Sequence, residues 1–514
     1  MASRARPLTL AAPALAVLLL ALVAAPLAAV GWRGAGLSLG PGDWAAVRFS
    51  VTQALLSAGA STLLAIPVAR ALARRRFPGR AVLITLMGAP FLLPAVVAVL
   101  GLLAVFGRSG LLNQSLALLG LPPVSIYGLH GVVLAHVFLN LPLATRMLLQ
   151  GWLAIPAERI RLAQSLGFGP SETFRHLEWP MLREVVPGVA LVILVICLTS
   201  FAVVITLGGG PSATTIELAI YQAVRFEFDL GKAAALAGVQ LAVGSVAALA
   251  AWGLTRPAGF GTGLDREIRL TAFGGWRLWG DAAALVAAVL FLTLPLGAVL
   301  LRGLPGMTDL PASVLPAAAR SLLVALTSAL LATAAALVLA LAAARRSRAV
   351  IEAAATLPLA TSGLALGTGL FLLIQPFAPP TTLALPVTIL VNMALSLPYL
   401  YRILLPEARA LHDDYGRLAD SLSLTGWPRM RWLVLPRLAR PLGFGAGIAA
   451  ALSMGDLGVI ALFAGERQAT LPLVVSQLTG AYRMEAAASA ALILVTLSFA
   501  LFWAFDAGGR RAAP

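Results

Sequence analysis

Long apolar runs separated by short polar stops set the grain of this sequence. The runs occupy residues 8–30, 50–72, 81–106, 128–150, 187–207 and 232–254. A second series follows at 281–302, 317–344, 350–374, 383–405, 441–463 and 486–505. A helix needs about 20 apolar residues to cross about 30 Å of hydrocarbon, and the runs are of that order. The alternating period of barrel strands is absent, and lipid offers no partner to an unpaired backbone group, so spanning helices are the element predicted. The pattern therefore predicts an all-α integral membrane protein of about twelve transmembrane helices in two sets of six.

Between the sets lies "TRPAGFGTGLDREIRLTAFGGWR", Thr255 to Arg277, rich in glycine and charge. It divides the chain into a first half, 1–256, a linker, 257–278, and a second half, 279–514. The halves repeat. "LNLPLATRMLL" (Leu139 to Leu149) aligns with "LSLPYLYRILL" (Leu395 to Leu405) at an offset of 256. The same offset carries Arg161-Leu162-Ala163 onto Arg417-Leu418-Ala419, Ser165-Leu166 onto Ser421-Leu422, and Pro180 onto Pro436. A gapless offset of this length marks a duplication. An even number of spans per half makes it a parallel repeat about an axis along the membrane normal.

Composition agrees with the pattern: 60% of the 514 residues are hydrophobic and 11% are charged. The net charge of +16 is concentrated in short loops, "RALARRRFPGR" (Arg70 to Arg80), "ARRSR" (Ala344 to Arg348) and the terminal "GGRRAAP". Cationic loops resist translocation, so these face the cytoplasm, both termini are cytoplasmic, and nucleic acid is not the partner. Arg4 and Arg6 before an apolar run resemble a secretory signal, but that run is too long for a signal core, and an uncleaved first helix is expected. Cys197 is the single cysteine, which excludes an intramolecular disulfide and a cysteine metal cluster.

In each half a polar loop, about 151–187 and 405–440, interrupts the apolar pattern. Its residues predict a short helix (Leu162, Ala163, Leu166), a turn (Gly167, Gly169, Pro170) and a second helix ending at proline. The second copy turns at Ser423 to Pro428. Two readings fit: an amphipathic loop lying on lipid headgroups, or a surface that enters a groove of a soluble partner. Two pseudo-symmetric copies suit a homodimeric partner.

The spacing of this loop resembles the EAA loop of permease subunits in binding-protein-dependent ABC importers. Arg161-Leu162-Ala163, Gly167, Leu177, Trp179 and Pro180 fill its pattern in the first half, and Arg417-Leu418-Ala419, Ser423, Leu433, Leu435 and Pro436 in the second. Both copies have arginine where the family has glutamate, and the second has serine for glycine, so a salt bridge made by that glutamate is not expected here. The resemblance implies a type I ABC importer permease fold in the bacterial inner membrane, with the loop as coupling helix for a homodimeric ATP-binding subunit. The implied ATPase-coupling residues are Arg161, Leu162, Ala163, Ser165, Leu166, Gly167, Pro180, Arg417, Leu418, Ala419, Ser421, Leu422, Ser423 and Pro436. The only lysine is Lys232, in "DLGKAAA", so the chain has no phosphate-binding loop. It needs no cofactor of its own, and ATP and Mg belong to the partner.

"RFSVTQALLSA" (Arg48 to Ala58), "RALARRRFPGR" (Arg70 to Arg80), "LGGGPSATTIELAIYQAV" (Leu207 to Val224) and "LSMGDLGVIALF" (Leu452 to Phe463), with the fused six-plus-six layout, resemble thiamine/thiamine pyrophosphate importer permeases. The fused iron(III) importer permease is the nearest alternative. The resemblance implies alternating access, a periplasmic thiamine-binding protein as donor, and no covalent chemistry. It places Glu217, Gln222 and Gln477, in the segments after each fifth span, among the contacts for that donor. Asp456, a lone acid deep in a span, and its counterpart Ser200 are expected on the translocation path, against the plainer reading that Asp456 bonds to a neighbouring backbone or to Ser453. His136, paired with Asn392 by the repeat, is expected to be a hydrogen-bonded packing residue. An ion-coupled carrier needs several midplane carboxylates or histidines, and an enzyme needs an acid, base or metal constellation. Neither pattern is present in the sequence.

Overall fold

The computed structural model describes residues 7–34, 39–87, 93–208, 210–254, 274–345 and 349–513. In the first half the helices are α1 (Pro7–Gly34), α2 (Pro41–Arg74), α3 (Arg80–Leu86), α4 (Ala95–Phe106), α5 (Leu111–Leu118) and α6 (Leu129–Leu153). They continue as α7 (Ala157–Ser165), α8 (Pro170–Thr173), α9 (Trp179–Leu198), α10 (Ala202–Leu207), α11 (Ile216–Gln222) and α12 (Leu230–Leu254). The second half holds α13 (Trp276–Gly303), α14 (Val314–Arg345), α15 (Ala349–Thr356), α16 (Gly363–Ile374) and α17 (Ala384–Ser421). After these come α18 (Gly426–Arg429), α19 (Leu435–Met454), α20 (Gly458–Phe463), α21 (Leu471–Gly480) and α22 (Met484–Ala512). No strand occurs among the described residues. Eleven helical stretches there are long and apolar enough to cross a membrane, and α15–α16 forms a twelfth candidate bent by 103°.

Leucine and alanine, both strong helix formers, dominate these segments, and local chemistry fixes their ends. At the start of α2, Pro41 takes a position where a missing N–H costs nothing, and Asp43 accepts a hydrogen bond from Gly40 N (2.9 Å). The expected span 350–374 is not one helix. Pro358 cannot continue α15, and Ser362 caps α16 by accepting from Ala365 N (3.0 Å), so the chain turns sharply. The expected span 81–106 is likewise interrupted: α3 stops at Leu86 and α4 begins after Pro94. The fifth spans, 187–207 and 441–463, break before α10 and α20. Residues 255–273 of the linker lie outside the described residues.

The chain forms two compact units that do not follow the sequence halves. One comprises Met1–Asp43, Ile216–Val243 and Gly306–Pro514; the other comprises Trp44–Thr215 and Gly244–Pro305. The leading helix of each half thus belongs to a unit built mainly from the opposite half. In the first unit Ala16 and Leu19 of α1 join a core of Ala329, Ala336 and Ala340 from α14 and Leu397 and Leu404 from α17. Alanine lets these backbones come close, the usual basis of helix packing in lipid. A Cβ added at Gly369 of α16 would lie 2.3 Å from the Pro26 carbonyl oxygen of α1. In the second unit α13 packs on α4 in the same manner, with Gly101 against Pro295.

Candidate functional site: paired coupling elements and the polar layers above them

The two polar loops have one backbone design. In the second unit, α7 ends with Phe168 N bonded to Ala163 O (3.0 Å) and Gly167 N to Gln164 O (3.1 Å). In the first unit, Leu424 N bonds to Ala419 O (2.9 Å) and Ser423 N to Asp420 O (3.1 Å). Both are Schellman closures, which need a left-handed residue at the turn. Gly167 has φ 66° and Ser423, despite its side chain, φ 55°. A four-residue helix, α8 or α18, then leads into one wide π turn, Phe174–Glu178 or Met430–Val434. Pro180 and Pro436 follow at the start of α9 and α19. The second helix therefore does not end at the proline; it runs through it, because a proline in the first turn of a helix forfeits no intrahelical bond.

A second difference separates the copies. α7 is a free-standing helix, cut from α6 by Ala154, Ile155 and Pro156, whereas its counterpart is the last part of the 38-residue α17. Position 412, the repeat equivalent of Pro156, is histidine, which keeps its N–H and lets the helix run on.

Both elements present the same face. Arg161, Leu162, Ser165, Leu166 and Gly167 are exposed, as are Arg417, Leu418, Ser421, Leu422 and Ser423, while Ala163 and Ala419 are buried against their own units. Leu162 is 59% exposed and Leu418 54%, and Phe174, Trp427 and Trp432 extend the apolar area. Pro180 is exposed and Pro436 half-buried.

What anchors each element differs. Glu178, 0% exposed, pairs with Arg70 (2.9 Å) and Arg74 (2.6 Å) from the end of α2, and Arg70 also lies 5.6 Å from the Phe174 ring centre. The equivalent of Glu178 is Val434, and there Arg429 pairs with Asp420 (3.0 Å) and Arg437 covers Tyr415 at 4.6 Å. Sequence reasoning missed these anchors. The basic run Arg70 to Arg80 points to topology and to the family resemblance, and nothing local ties it to an acid about a hundred residues away.

Above each element three helices share a buried polar layer. In the second unit Ser57 of α2 bonds His136 Nδ1 of α6 (3.1 Å) and lies against the Cys197 thiol of α9; Asn140 and Gln53 add bonds to Cys197 Sγ (3.5 Å) and Cys197 O (3.0 Å). In the first unit Ser328 of α14 bonds Ser453 of α19 (2.7 Å), which accepts from Asn392 of α17 (2.9 Å). Asn392 and Ser453 stand 256 residues beyond His136 and Cys197, so the layer is duplicated. His136 is a hydrogen-bonded packing residue, and the offset that pairs it with Asn392 also picks out Cys197 and Ser453.

Asp456 lies just before α20, its carboxylate against the backbone N–H groups of Gly458, Val459 and Ile460 and the Asn392 side chain. Its equivalent, Ser200, is half-buried before α10. Gln477 is exposed and Gln222 half-buried. Glu217 does not face outward as a docking residue must. It is 1% exposed and bonded to the Ser362 hydroxyl at the bend between α15 and α16. Burial pushes its carboxyl up to about 8, against the opposing pull of that hydroxyl.

The chain is 37% identical over 484 residues to the thiamine transport system permease protein ThiP of Brucella abortus, covering 91% of this chain and 89% of the relative. The proteins of the same name from Escherichia coli K12 and Salmonella typhimurium are each 40% identical, over 485 and 479 residues, covering 89% of this chain and 88% of the relative. No family model matches the chain.

Proposed function

The chain belongs to the family of thiamine transport system permeases, and on that premise we propose that it is the fused transmembrane subunit of an ATP-driven thiamine importer. The observation that carries the reading is the pair of exposed, apolar-tipped coupling elements with one backbone design, one in each compact unit. A leucine-tipped helix flanked by arginine suits a groove on a soluble protein, and two copies suit a two-fold symmetric one. That partner is a homodimeric ATPase at the cytoplasmic face of the inner membrane. ATP and Mg bind there, and this chain performs no covalent step.

The cycle is alternating access. Closure of the ATPase dimer draws the two elements together, the bundles open outward, and a periplasmic binding protein delivers thiamine. Hydrolysis resets the inward-open state. Contacts for the binding protein fall to Gln222, Gln477 and their segments, and Asp456 and Ser200 stand on the path. Both termini are cytoplasmic.

Replacing Leu162 and Leu418 by aspartate is expected to abolish co-purification of the ATPase and to cut thiamine uptake by proteoliposomes at least tenfold, with helical content unchanged. Uptake that persists without the ATPase, under any ion gradient, overturns the reading in favour of a secondary carrier.

A further inference from the structure

Two interruptions of helical backbone and the start of a short helix neighbour one another in the first compact unit, each beside a polar side chain. Ser362 stands at the 103° break between α15 and α16. Asp456 stands at the break between α19 and α20. Glu217 lies in the first turn of α11. Glu217 is bonded to Ser362; a Cβ on the next residue, Gly363, would lie 3.3 Å from Val459 Cγ2; and the backbone of Val459 faces the Asp456 carboxylate. One continuous set of neighbours thus joins the two acids.

Broken backbone within a spanning segment is tolerated where it is enclosed by protein or lines a cavity, and discontinuous helices are the usual framework of transport sites. The acids there are compensated unequally. Asp456 has helix N–H groups before it, a favourable place for a carboxylate, although its Oδ2 has no hydrogen-bond partner. Glu217 has one hydroxyl. Ser362 Oγ already accepts from Ala365 N, so its proton is free for Glu217, and Glu217 Oε1 has no partner. Nor does Glu217 pair with a cation among the described residues. Glu178, the comparably buried acid, is held by two arginines. A carboxylate buried without a counter-charge is costly, so Glu217 holds its proton until a cation arrives beside it, which marks the position as one kept for a charge that comes and goes.

We propose that Glu217 is the cargo-recognition carboxylate of this permease: its unpartnered oxygen receives a permanently cationic ring of the transported molecule, with Asp456 as the second acid of the site. The proposal rests on the reading that the cargo is thiamine, whose thiazolium ring carries such a charge. It also makes recognition one-sided. At the repeat offset of 256 the second half has Leu473 where the first has Glu217, and Ser200 in the first half answers Asp456.

The test uses the full chain assembled with its ATPase in proteoliposomes, with labelled thiamine supplied on saturating binding protein, and with thiochrome, an uncharged relative of thiamine, as a competitor. Glu217→Gln keeps the shape and the Ser362 bond. It is expected to lower thiamine uptake tenfold or more, to keep thermal stability at or above wild type, and to let thiochrome compete where it does not in wild type. Glu217→Asp is expected to restore discrimination in part. Uptake by Glu217→Gln within twofold of wild type, or uptake lost together with stability in both variants, overturns the proposal and leaves the importer reading intact. Absence of thiamine uptake by the wild-type complex overturns both.

Discussion

Ser423 and Gly167 occupy the same left-handed turn, and the difference between them is one side chain. A non-glycine residue in that region is disfavoured by about 1–2 kcal/mol. A Cβ on Gly167 would meet nothing within 4 Å, so substitution there is opposed by backbone strain alone. Ser423→Gly is expected to stabilise the protein by about 1 kcal/mol and Gly167→Ala to destabilise it by a similar amount, read by thermal unfolding in detergent. Glu217 gives a pH dependence of known sign. Burial pushes its carboxyl from an ordinary 4.5 up to about 8, so the native state holds the proton more tightly. Its stabilising share is complete below about 4.5 and is lost as pH rises towards 8. Melting temperature measured across that window is expected to fall more steeply for wild type than for Glu217→Gln.

Helix ends were legible where a residue forbids continuation and illegible where distant packing decides. Pro156 cuts α7 from α6, and that cut is written in the sequence, as is its absence at His412. The wide turns before Pro180 and Pro436 are not, because no single residue there separates a π turn from an α turn; between α15 and α16, Pro358 and Ser362 mark a break, but its 103° angle is set by packing. The polar layers lie between these cases. Their members sit on three separate helices, and the repeat offset relates only two of the three, His136 to Asn392 and Cys197 to Ser453. Ser453 serves both Ser328 and Asn392, so Ser453→Ala is expected to cost about 1–2 kcal/mol. His136→Asn, which reproduces the second copy's residue, is expected to cost less than His136→Leu. Denaturant titration of the three variants checks that order.

The compact units cross the boundary of the duplication. α1 and α11 come from the first half and pack in a unit made chiefly from the second, where α1 buries Ala16 and Leu19 and closes on Gly369. Neither half alone can bury that surface. Residues 1–256 and 257–514 expressed separately are expected to be degraded by limited proteolysis at once, and co-expressed fragments to give the protected pattern of the intact chain. Protection of either fragment by itself contradicts this exchange.

The sequence by itself determined that the chain is a duplicated helical membrane protein with one polar loop per half, because hydrocarbon thickness, charge placement and a constant repeat offset all leave linear traces. It also gave the exposed leucines of those loops their place. Only the tertiary structure decided which helices form each unit, which arginines hold Glu178, and that Glu217 faces inward to a broken span. Those outcomes depend on side chains far apart in the chain meeting at ångström range, and no periodicity or composition encodes which of many apolar faces will meet.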